Sequence, residues 1–256
     1  MASAMVEGLL AQKAAVPADL ACFTPSGRTA ALLAKKTGVA QADSLPALLG
    51  RADIVVVAFK PQHLAAAENQ LGELTAGRLV ISVLAGKTLA RLARVFPRAR
   101  NVVRCMPNTP SKIGAGVTGW CAARSLTAED RAAVTTLLGA LGTALEIAEG
   151  SMNALTAVSG CGPAYVFEFA GALREAGVAA GLDPATAETL AIETLLGASR
   201  LLAQRQASPE HLRDAVTSPH GATFAGLQRL AAGNFRGLIK EVVSAAQARA
   251  QELSGD

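Results

Sequence analysis

Apolar runs and amphipathic segments alternate along the first 150 residues of the chain. The clearest run is 53–59, in which Ile54, Val55, Val56 and Val57 are β-branched and Lys60-Pro61 follows as a stop. Unbroken runs of this kind are typical of parallel strands buried on both faces. Segments with helical spacing separate the runs, so the pattern predicts a parallel sheet flanked by helices. The predicted strands are 20–23, 53–59, 79–83, 101–105 and 116–120, and the predicted helices are 2–15, 28–36, 63–74, 87–96 and one that Thr127 caps with Asp130.

The strand pattern stops near residue 150, and only helical patterns follow. Asp183-Pro184 combines an N-cap residue with proline at the first helical position, which is a strong signal for a helix start. Ser208-Pro209 and Ser218-Pro219 repeat it, and each is expected to open a helix. We therefore expect an α/β domain over 1–150 and an all-helical domain over 151–256. The longer predicted helices of that second domain are 152–180, 183–206 and 234–253.

The predicted helical domain is rich in Ala and Leu and carries Gly171, Gly177 and Gly197 inside its helices. Small residues allow helices to approach closely, and apolar residues around most of a helix indicate burial on several sides. A domain of this size cannot cover that surface alone. We therefore expect an obligate dimer, or a ring of dimers, in which the helices after residue 151 interleave between subunits.

The predicted fold class is a doubly wound, Rossmann-like parallel sheet followed by a helical dimerisation domain. Such a sheet begins with a strand and a Gly-x-Gly-x-x-Gly/Ala turn, and its first strand lies in the middle of the sheet. Here the first predicted element is a helix, and neither a strand nor a glycine-rich turn precedes it in the given sequence. We expect that the first strand is missing and that the natural product starts upstream of Met1. The alternative is a protein without that strand that binds no dinucleotide.

Composition narrows the class of protein. Hydrophobic residues make up 51% of the chain and charged residues 17%, which excludes a disordered chain. The net charge is +4, with +6 on residues 1–150 and −2 on residues 151–256, so the first domain suits a small anionic ligand. Aromatic residues are only 4%, so we expect no nucleic-acid partner.

The chemistry-bearing side chains are not arranged for metals, disulfides or membranes. The four cysteines are far apart in sequence and the three histidines are scattered, so no metal site is expected. No signal peptide opens the chain, and no run of about 18 apolar residues lacks charges or helix breakers. The predicted location is the cytoplasm, with reduced thiols in the core.

Two motifs follow predicted strands. Ala58-Phe59-Lys60-Pro61-Gln62 would place the positive charge of Lys60 where ligands bind in such sheets, outside the carboxyl ends of the strands. In Arg104-Cys105-Met106-Pro107-Asn108-Thr109-Pro110, the prolines fix an extended turn, and the Asn108 amide can donate and accept at once. Each motif also has a purely structural interpretation. The first is then only a strand terminator, and the second is only an ordinary turn between strands.

A third motif, 214–223, leads into a helix in the second half. Backbone N–H groups at a helix start bind carboxylates, and the hydroxyls of Ser218 and Thr223 can add donors. A plain N-cap is the alternative.

Taken together, the motifs resemble those of the pyrroline-5-carboxylate reductase family, and the resemblance covers essentially the whole chain. The chain departs from the family pattern at Met1-Ala2, where the glycine-rich turn is lost, and at Cys161 and His220, which replace a serine and a glycine. We read His220 as a solvent-facing turn residue, with a new acid–base group as the alternative. The segments that carry the resemblance are Ala52 to Gln62, Ile81 to Gly86, Met106-Pro107-Asn108-Thr109-Pro110, Ser159-Gly160-Cys161-Gly162-Pro163-Ala164-Tyr165 and Val216 to Thr223.

The resemblance implies reduction of L-1-pyrroline-5-carboxylate, a cyclic imino acid, to L-proline with NAD(P)H, the last step of proline biosynthesis. It implies that Ser218, Gly221, Ala222 and Thr223 bind the substrate, and that Thr223 and Ser218 are catalytic. Ser159 to Pro163 is expected to pack at the domain seam. The implied cofactor-binding residues are Ala2, Thr24, Ser26, Arg28, Ala58, Lys60, Pro61, Val83, Ala85 and Asn108.

The loop 22–28 bears on the choice of cofactor. NAD enzymes usually carry Asp or Glu at the end of the second strand to bind the ribose 2′-hydroxyl. This loop has no carboxylate and offers Thr24, Ser26 and Arg28 instead, so we expect NADPH, with NADH possible. The alternative for Arg28 is a side chain that only faces solvent.

Two other functions remain open. One is a related imine or β-hydroxyacid reductase, which typically has a lysine acid in the helical domain; here that domain has one lysine, Lys240. The other is a cofactor-free relative that acts as a binding or scaffold protein.

Overall fold

The computed structural model describes residues 1–204 and 207–254. Strands and helices alternate over its first part, as the sequence predicts. The strands are β1 (Ala21–Cys22), β2 (Ala40–Gln41), β3 (Ile54–Val57), β4 (Leu79–Ser82), β5 (Asn101–Met106), β6 (Gly116–Ala122) and β7 (Gly142–Glu146). The helices are α1 (Ala2–Ala11), α2 (Arg28–Thr37), α3 (Leu45–Leu49), α4 (Leu64–Leu74), α5 (Leu89–Val95), α6 (Ala128–Gly139), α7 (Met152–Leu155), α8 (Gly162–Ala179), α9 (Pro184–Ala203), α10 (Pro209–Ala215), α11 (Ala222–Ala232) and α12 (Phe235–Leu253).

The strands form two groups. β1 and β2 pair in parallel, and the other five form a sheet in the order β3-β4-β5-β6-β7. All neighbours in the larger sheet are parallel except β5 and β6, which are antiparallel. The predicted parallel α/β sheet is confirmed; the missing first strand stays a prediction.

The inner strands β4, β5 and β6 of the larger sheet are buried on both faces, which explains the apolar runs of β4 and β5. Alternate residues of β4 point to opposite faces. Val80 packs with Leu64 and Leu92 from α4 and α5, whereas Ile81 packs with residues of α1 and α6, including Leu138. Helices on both faces give the doubly wound architecture.

Several helix starts are confirmed by their caps. The hydroxyl of Thr127 accepts from the backbone N of Asp130 at 3.1 Å, and Asp183 Oδ1 accepts from Thr186 N at the same distance. Ser208 Oγ accepts from His211 N at 3.2 Å. Each bond satisfies a backbone donor that has no partner within the first helical turn.

Ser218-Pro219 does not open a helix, so that prediction was wrong. His220 adopts φ +60°, which breaks the helical path, and Gly221 becomes the N-cap of α11. Ser218 is instead the first residue of a turn, in which its carbonyl accepts a hydrogen bond from Gly221 N at 3.0 Å.

Other predicted bounds differ from the structure. The predicted helix 152–180 is interrupted by a π-helical turn over Thr156–Gly160. The first helix ends at Ala11, shortly before Lys13 at φ +56°. Helix α9 ends at Ala203, and residues 205–206 at the end of its predicted span lie outside the described residues. The short elements β2 and α3 and the strand β7 were not predicted.

The chain divides into two compact units, Met1–Cys161 with Ala246–Asp256 and Gly162–Ala245. The predicted boundary between residues 150 and 151 lies inside the first unit, while every described element after β7 is helical. Across residues 1–204 and 207–254, no helix has the length and apolar character needed to span a bilayer. The same residues contain no group of three or more His, Cys, Asp and Glu side chains placed to hold a metal ion.

Candidate functional site

Parallel pairing places the ends of three strands at one edge of the larger sheet. Val57 is in register with Ser82, and Ser82 with Arg104, so the loops after β3, β4 and β5 leave the sheet side by side. Ligands in open α/β sheets bind at such carboxyl ends. This edge collects six of the predicted cofactor-binding residues, Ala58, Lys60, Pro61, Val83, Ala85 and Asn108.

Lys60 is exposed and takes part in no ion pair with the described residues. It precedes a single 3-10 turn, Pro61–His63, that leads into α4. Its ammonium group is therefore available to a negatively charged ligand at this edge.

The loop after β1 carries the residues predicted to select the cofactor. Gly27 adopts φ +69° as the N-cap of α2, and its backbone N donates to Thr24 O at 2.8 Å. Thr29 Oγ1 donates to Thr24 Oγ1 at 3.3 Å. Ser26 and Arg28 are exposed, and the described residues offer Arg28 no ion-pair partner. The guanidinium group thus stands free beside a helix start.

The helix starts that carry predicted site residues lack side-chain caps. This holds for α1, whose first residue is Ala2, for α2 after Gly27 and for α11 after Gly221. Helices α3, α5, α6, α9 and α10 all have a Ser, Thr or Asp cap bond. Uncapped starts leave backbone N–H donors and the positive end of the helix dipole for an anion.

The predicted substrate-binding residues form one turn in the second unit. Ser218 and Thr223 are exposed, and Ala222 is the first residue of α11. A Cβ on Gly221 would overlap Ser218 Oγ, so any larger residue there would displace the Ser218 hydroxyl. The hydroxyls of Ser218 and Thr223 therefore flank a bare stretch of backbone, an arrangement suited to a carboxylate.

His220, the departure from the family pattern, is an exposed turn residue as expected. Its φ of +60° lies in the left-handed region, which glycine adopts more easily than any other residue. The imidazole ring packs edge-on against Phe224, with ring centroids 5.9 Å apart.

The side-chain amide of Asn108 is fixed by hydrogen bonds to other residues of the protein. Its Oδ1 accepts from Val117 N at 2.9 Å, and its Nδ2 lies 3.2 Å from Ser159 O and 3.3 Å from Ser159 Oγ. The amide therefore connects the turn after β5 to β6 and to the π-helical turn. Sequence reasoning treated Ser159 as packing and missed this bond, although proline at position 163, four residues after Ser159, is a signal for it.

The thiols near this sheet are not nucleophiles. Burial raises the pKa of Cys105 well above its usual value, and Cys121 adds to the effect. Burial and the charge of Glu149, opposed by the charge of Arg104, together raise the pKa of Cys121 to about 11. Both side chains are therefore protonated near neutral pH, and the structure leaves all four cysteines free.

Comparisons with known proteins agree with this architecture. Residues 149–253 match a family described as pyrroline-5-carboxylate reductase dimerisation, and residues 1–86 match one described as NADP oxidoreductase coenzyme F420-dependent. A pyrroline-5-carboxylate reductase from Synechocystis is 37% identical over 99% of this chain and 94% of its own length. One from Escherichia coli is 32% identical over 99% of this chain and 95% of its own length.

Solved structures agree as well. A pyrroline-5-carboxylate reductase from Coxiella burnetii is 33% identical, with a TM-score of 0.94 over 100% of this chain and 95% of that one. A Plasmodium falciparum pyrroline carboxylate reductase with NADP bound is 28% identical, with a TM-score of 0.85 over 99% of this chain and 94% of that one. Fold, site and whole-length similarity together lead to one conclusion: this chain belongs to the pyrroline-5-carboxylate reductase family.

Proposed function

We propose that this protein reduces L-1-pyrroline-5-carboxylate to L-proline with NADPH, the last step of proline biosynthesis. The observation that carries the proposal is the turn from Ser218 to Thr223, where two hydroxyls flank the uncapped start of α11. This turn suits the carboxylate of the substrate, and its residues other than His220 resemble the family motif.

The residues of the first unit fit a phosphorylated dinucleotide. The uncapped start of α2 and the free guanidinium group of Arg28 suit a 2′-phosphate. Lys60 and the turn that carries Asn108 would line the nicotinamide side, and Ala58, Pro61, Val83 and Ala85 would shape the wall beside it. Ala2, at the uncapped start of α1, would face the pyrophosphate. NADH, which lacks the 2′-phosphate, would bind less tightly.

When bound, NADPH supplies the hydride that reduces the imine carbon. The chain's part is to bind and orient the substrate. Ser218 Oγ and the backbone N–H groups of Ala222 and Thr223 hold the carboxylate. The Thr223 hydroxyl also lies beside the imine nitrogen, where it can stabilise the protonated form. Since the hard chemistry belongs to the cofactor, the proposal assigns no role to a metal or a covalent nucleophile.

The alternatives have less support. A related β-hydroxyacid reductase would need a lysine acid in the helical domain, but Lys240 is an exposed residue of α12. A cofactor-free scaffold would have no use for the free cation and bare helix starts described above.

Activity of the purified protein tests these alternatives directly. Incubation with pyrroline-5-carboxylate and NADPH should oxidise the cofactor and form an equal amount of proline. A fluorescence titration with NADPH and NADH alone should give saturable binding that is tighter for NADPH. Tight NADPH binding without proline formation would favour a related reductase, and absence of binding would favour the scaffold.

We propose that the helical second unit forms a homodimer, with a ring of dimers as the larger assembly. Gly177 packs against Ala187, which brings α8 and α9 close together. Large apolar side chains on these two helices remain exposed, and a single chain does not keep so many in water without a partner. They include Val166, Phe167, Phe169, Leu190, Ile192 and Leu196.

Sedimentation equilibrium at micromolar protein tests this assembly. The wild-type protein should be at least dimeric, and Phe167→Glu should weaken the dimer. Ile113→Glu is the matched control because Ile113 is 83% exposed but lies in the first unit. A monomeric wild-type protein would contradict the assembly. We further propose that the enzyme acts in the cytoplasm, where its free thiols stay reduced.

A further inference from the structure

The backbone ahead of α8 has a carbonyl that ordinary helical bonding cannot satisfy. In an α-helix, Ser159 O would accept from the backbone N of residue 163, but Pro163 has no N–H. The chain forms a π-helical turn here instead, in which Cys161 N donates to Thr156 O at 2.8 Å. A carbonyl without a donor in this half-buried place is costly unless another group supplies one.

Asn108 supplies that donor from a distant part of the chain. Its Nδ2 lies 3.2 Å from Ser159 O, while its Oδ1 accepts from Val117 N at 2.9 Å. Both ends of the amide are therefore used, and the orientation of the side chain is defined. Asn108 ends the extended segment after β5 and begins the 3-10 turn Thr109–Ile113.

Apolar packing supports the same contact. A Cβ on Gly160 would lie 3.1 Å from the Met106 methyl group, so the π-helical turn sits closely against the end of β5. Likewise, a Cβ on Gly119 would overlap the side chain of Leu155 just before the turn. The two segments are thus packed together on both sides of the amide.

We propose that Asn108 is a positioning residue of the reductase, whose amide fixes the turn after β5 by bonding to Ser159 O, rather than a residue that binds the nicotinamide directly. The inference rests on the proposed function only for its kinetic consequence. If the turn moves, the loops at the carboxyl edge lose their alignment, and the rate falls more than the affinity for cofactor.

Asn108→Asp is the sharpest test. The variant keeps the shape of the side chain and an acceptor for Val117 N, but its carboxylate oxygen faces Ser159 O without a hydrogen. Protonation restores a donor, so the defect should fade as the pH falls through the range in which carboxyl groups protonate. We expect kcat to fall about tenfold or more near neutral pH and to recover toward acid relative to the wild type.

Ser159→Ala is the matched comparison. It removes the hydroxyl but keeps the carbonyl and the Asn108 amide, so it should show no acid recovery. If Asn108→Asp instead raises KM for NADPH at unchanged kcat and shows no recovery in acid, the proposal is overturned in favour of direct contact between Asn108 and the cofactor.

Amide hydrogen exchange gives a readout that does not depend on activity. For residues 156–164, we compare the amide exchange rate of Asn108→Asp with that of the wild type. The ratio of the two rates should exceed one at neutral pH and approach one in acid. A ratio of one at all pH values would overturn the proposal even if the wild-type protein reduces the substrate. If the wild-type protein has no reductase activity, the proposed function fails but this measurement still decides the hydrogen bond.

A second pair of variants covers the case in which Asn108→Asp does not fold. Asn108→Ala removes the donor, and adding Pro163→Ala gives residue 163 an N–H for the Ser159 carbonyl. The double variant should regain protection over residues 156–164 relative to Asn108→Ala alone. Equal or lower protection in the double variant would overturn the proposal.

Discussion

Glu149 Oε1 accepts two hydrogen bonds, one from Arg104 Nη1 at 2.9 Å and one from the backbone N of Leu89 at 2.6 Å. One carboxylate thus holds the guanidinium group of a central strand and the first turn of α5. The Arg104 side chain is only 8% exposed, so its charge depends on this partner.

Removing the partner should destabilise the fold. We expect Glu149→Ala to lower the free energy of unfolding by about 2–4 kcal/mol, because it leaves a buried guanidinium group unpaired. Glu149→Gln keeps an acceptor and should cost about half as much. Chemical denaturation measures both values. The control is Glu146→Ala, which breaks an exposed pair with Arg131 and should cost at most about 1 kcal/mol. Equal losses for Glu149→Ala and Glu146→Ala would contradict the role of Glu149.

Thr223→Ala should impair substrate turnover much more than cofactor binding. Loss of one charge-assisted hydrogen bond, worth about 1.5–3 kcal/mol, lowers kcat/KM for pyrroline-5-carboxylate by about 10- to 150-fold. Steady-state kinetics and an NADPH titration separate the two effects. Thr223→Ser should keep most of the activity, and Thr135→Ala, on the exposed surface of α6, is the control. Unchanged kinetics in Thr223→Ala would remove this residue from the site.

Arg28→Ala should narrow the preference for NADPH over NADH. A partly exposed arginine–phosphate contact contributes on the order of 1–2 kcal/mol, which corresponds to about 5- to 30-fold in the ratio of kcat/KM for the two cofactors. Lys35→Ala removes the same charge from the other end of α2 and is the control. If the wild-type protein uses NADPH and NADH with equal efficiency, the loop does not recognise the phosphate.

The left-handed backbone conformation of His220 should affect the free energy of unfolding. Both His220→Gly and His220→Ala lose the ring contact with Phe224, so their difference isolates the backbone. We expect the glycine variant to be more stable than the alanine variant by about 1 kcal/mol, because only glycine adopts φ +60° without steric cost. Thermal or chemical unfolding of the pair measures it, and an alanine variant of equal stability would show that the turn relaxes.

Much of the fold and part of the site could be predicted from local sequence. The β-branched run of β3 and the caps at Thr127, Asp183 and Ser208 depend on neighbouring residues, which a sequence pattern displays directly. Parallel strands also imply that the loops after them meet at one edge, so the positions of Lys60 and Asn108 along the chain are enough to group them. The turn at Ser218 was recognised as a site, but its backbone path was not.

Elements and contacts that depend on distant residues could not be predicted this way. β7 has no β-branched run, and only its pairing with β6 makes it a strand. Asn108 and Ser159 are 51 residues apart, and Arg104 and Glu149 are 45 apart, so no periodicity connects them. The sequence by itself determined the order of the elements, because each local pattern favours one backbone conformation. The tertiary structure alone decided which amide satisfies the Ser159 carbonyl and which carboxylate pairs with Arg104, because buried polar groups bind partners according to their position in space.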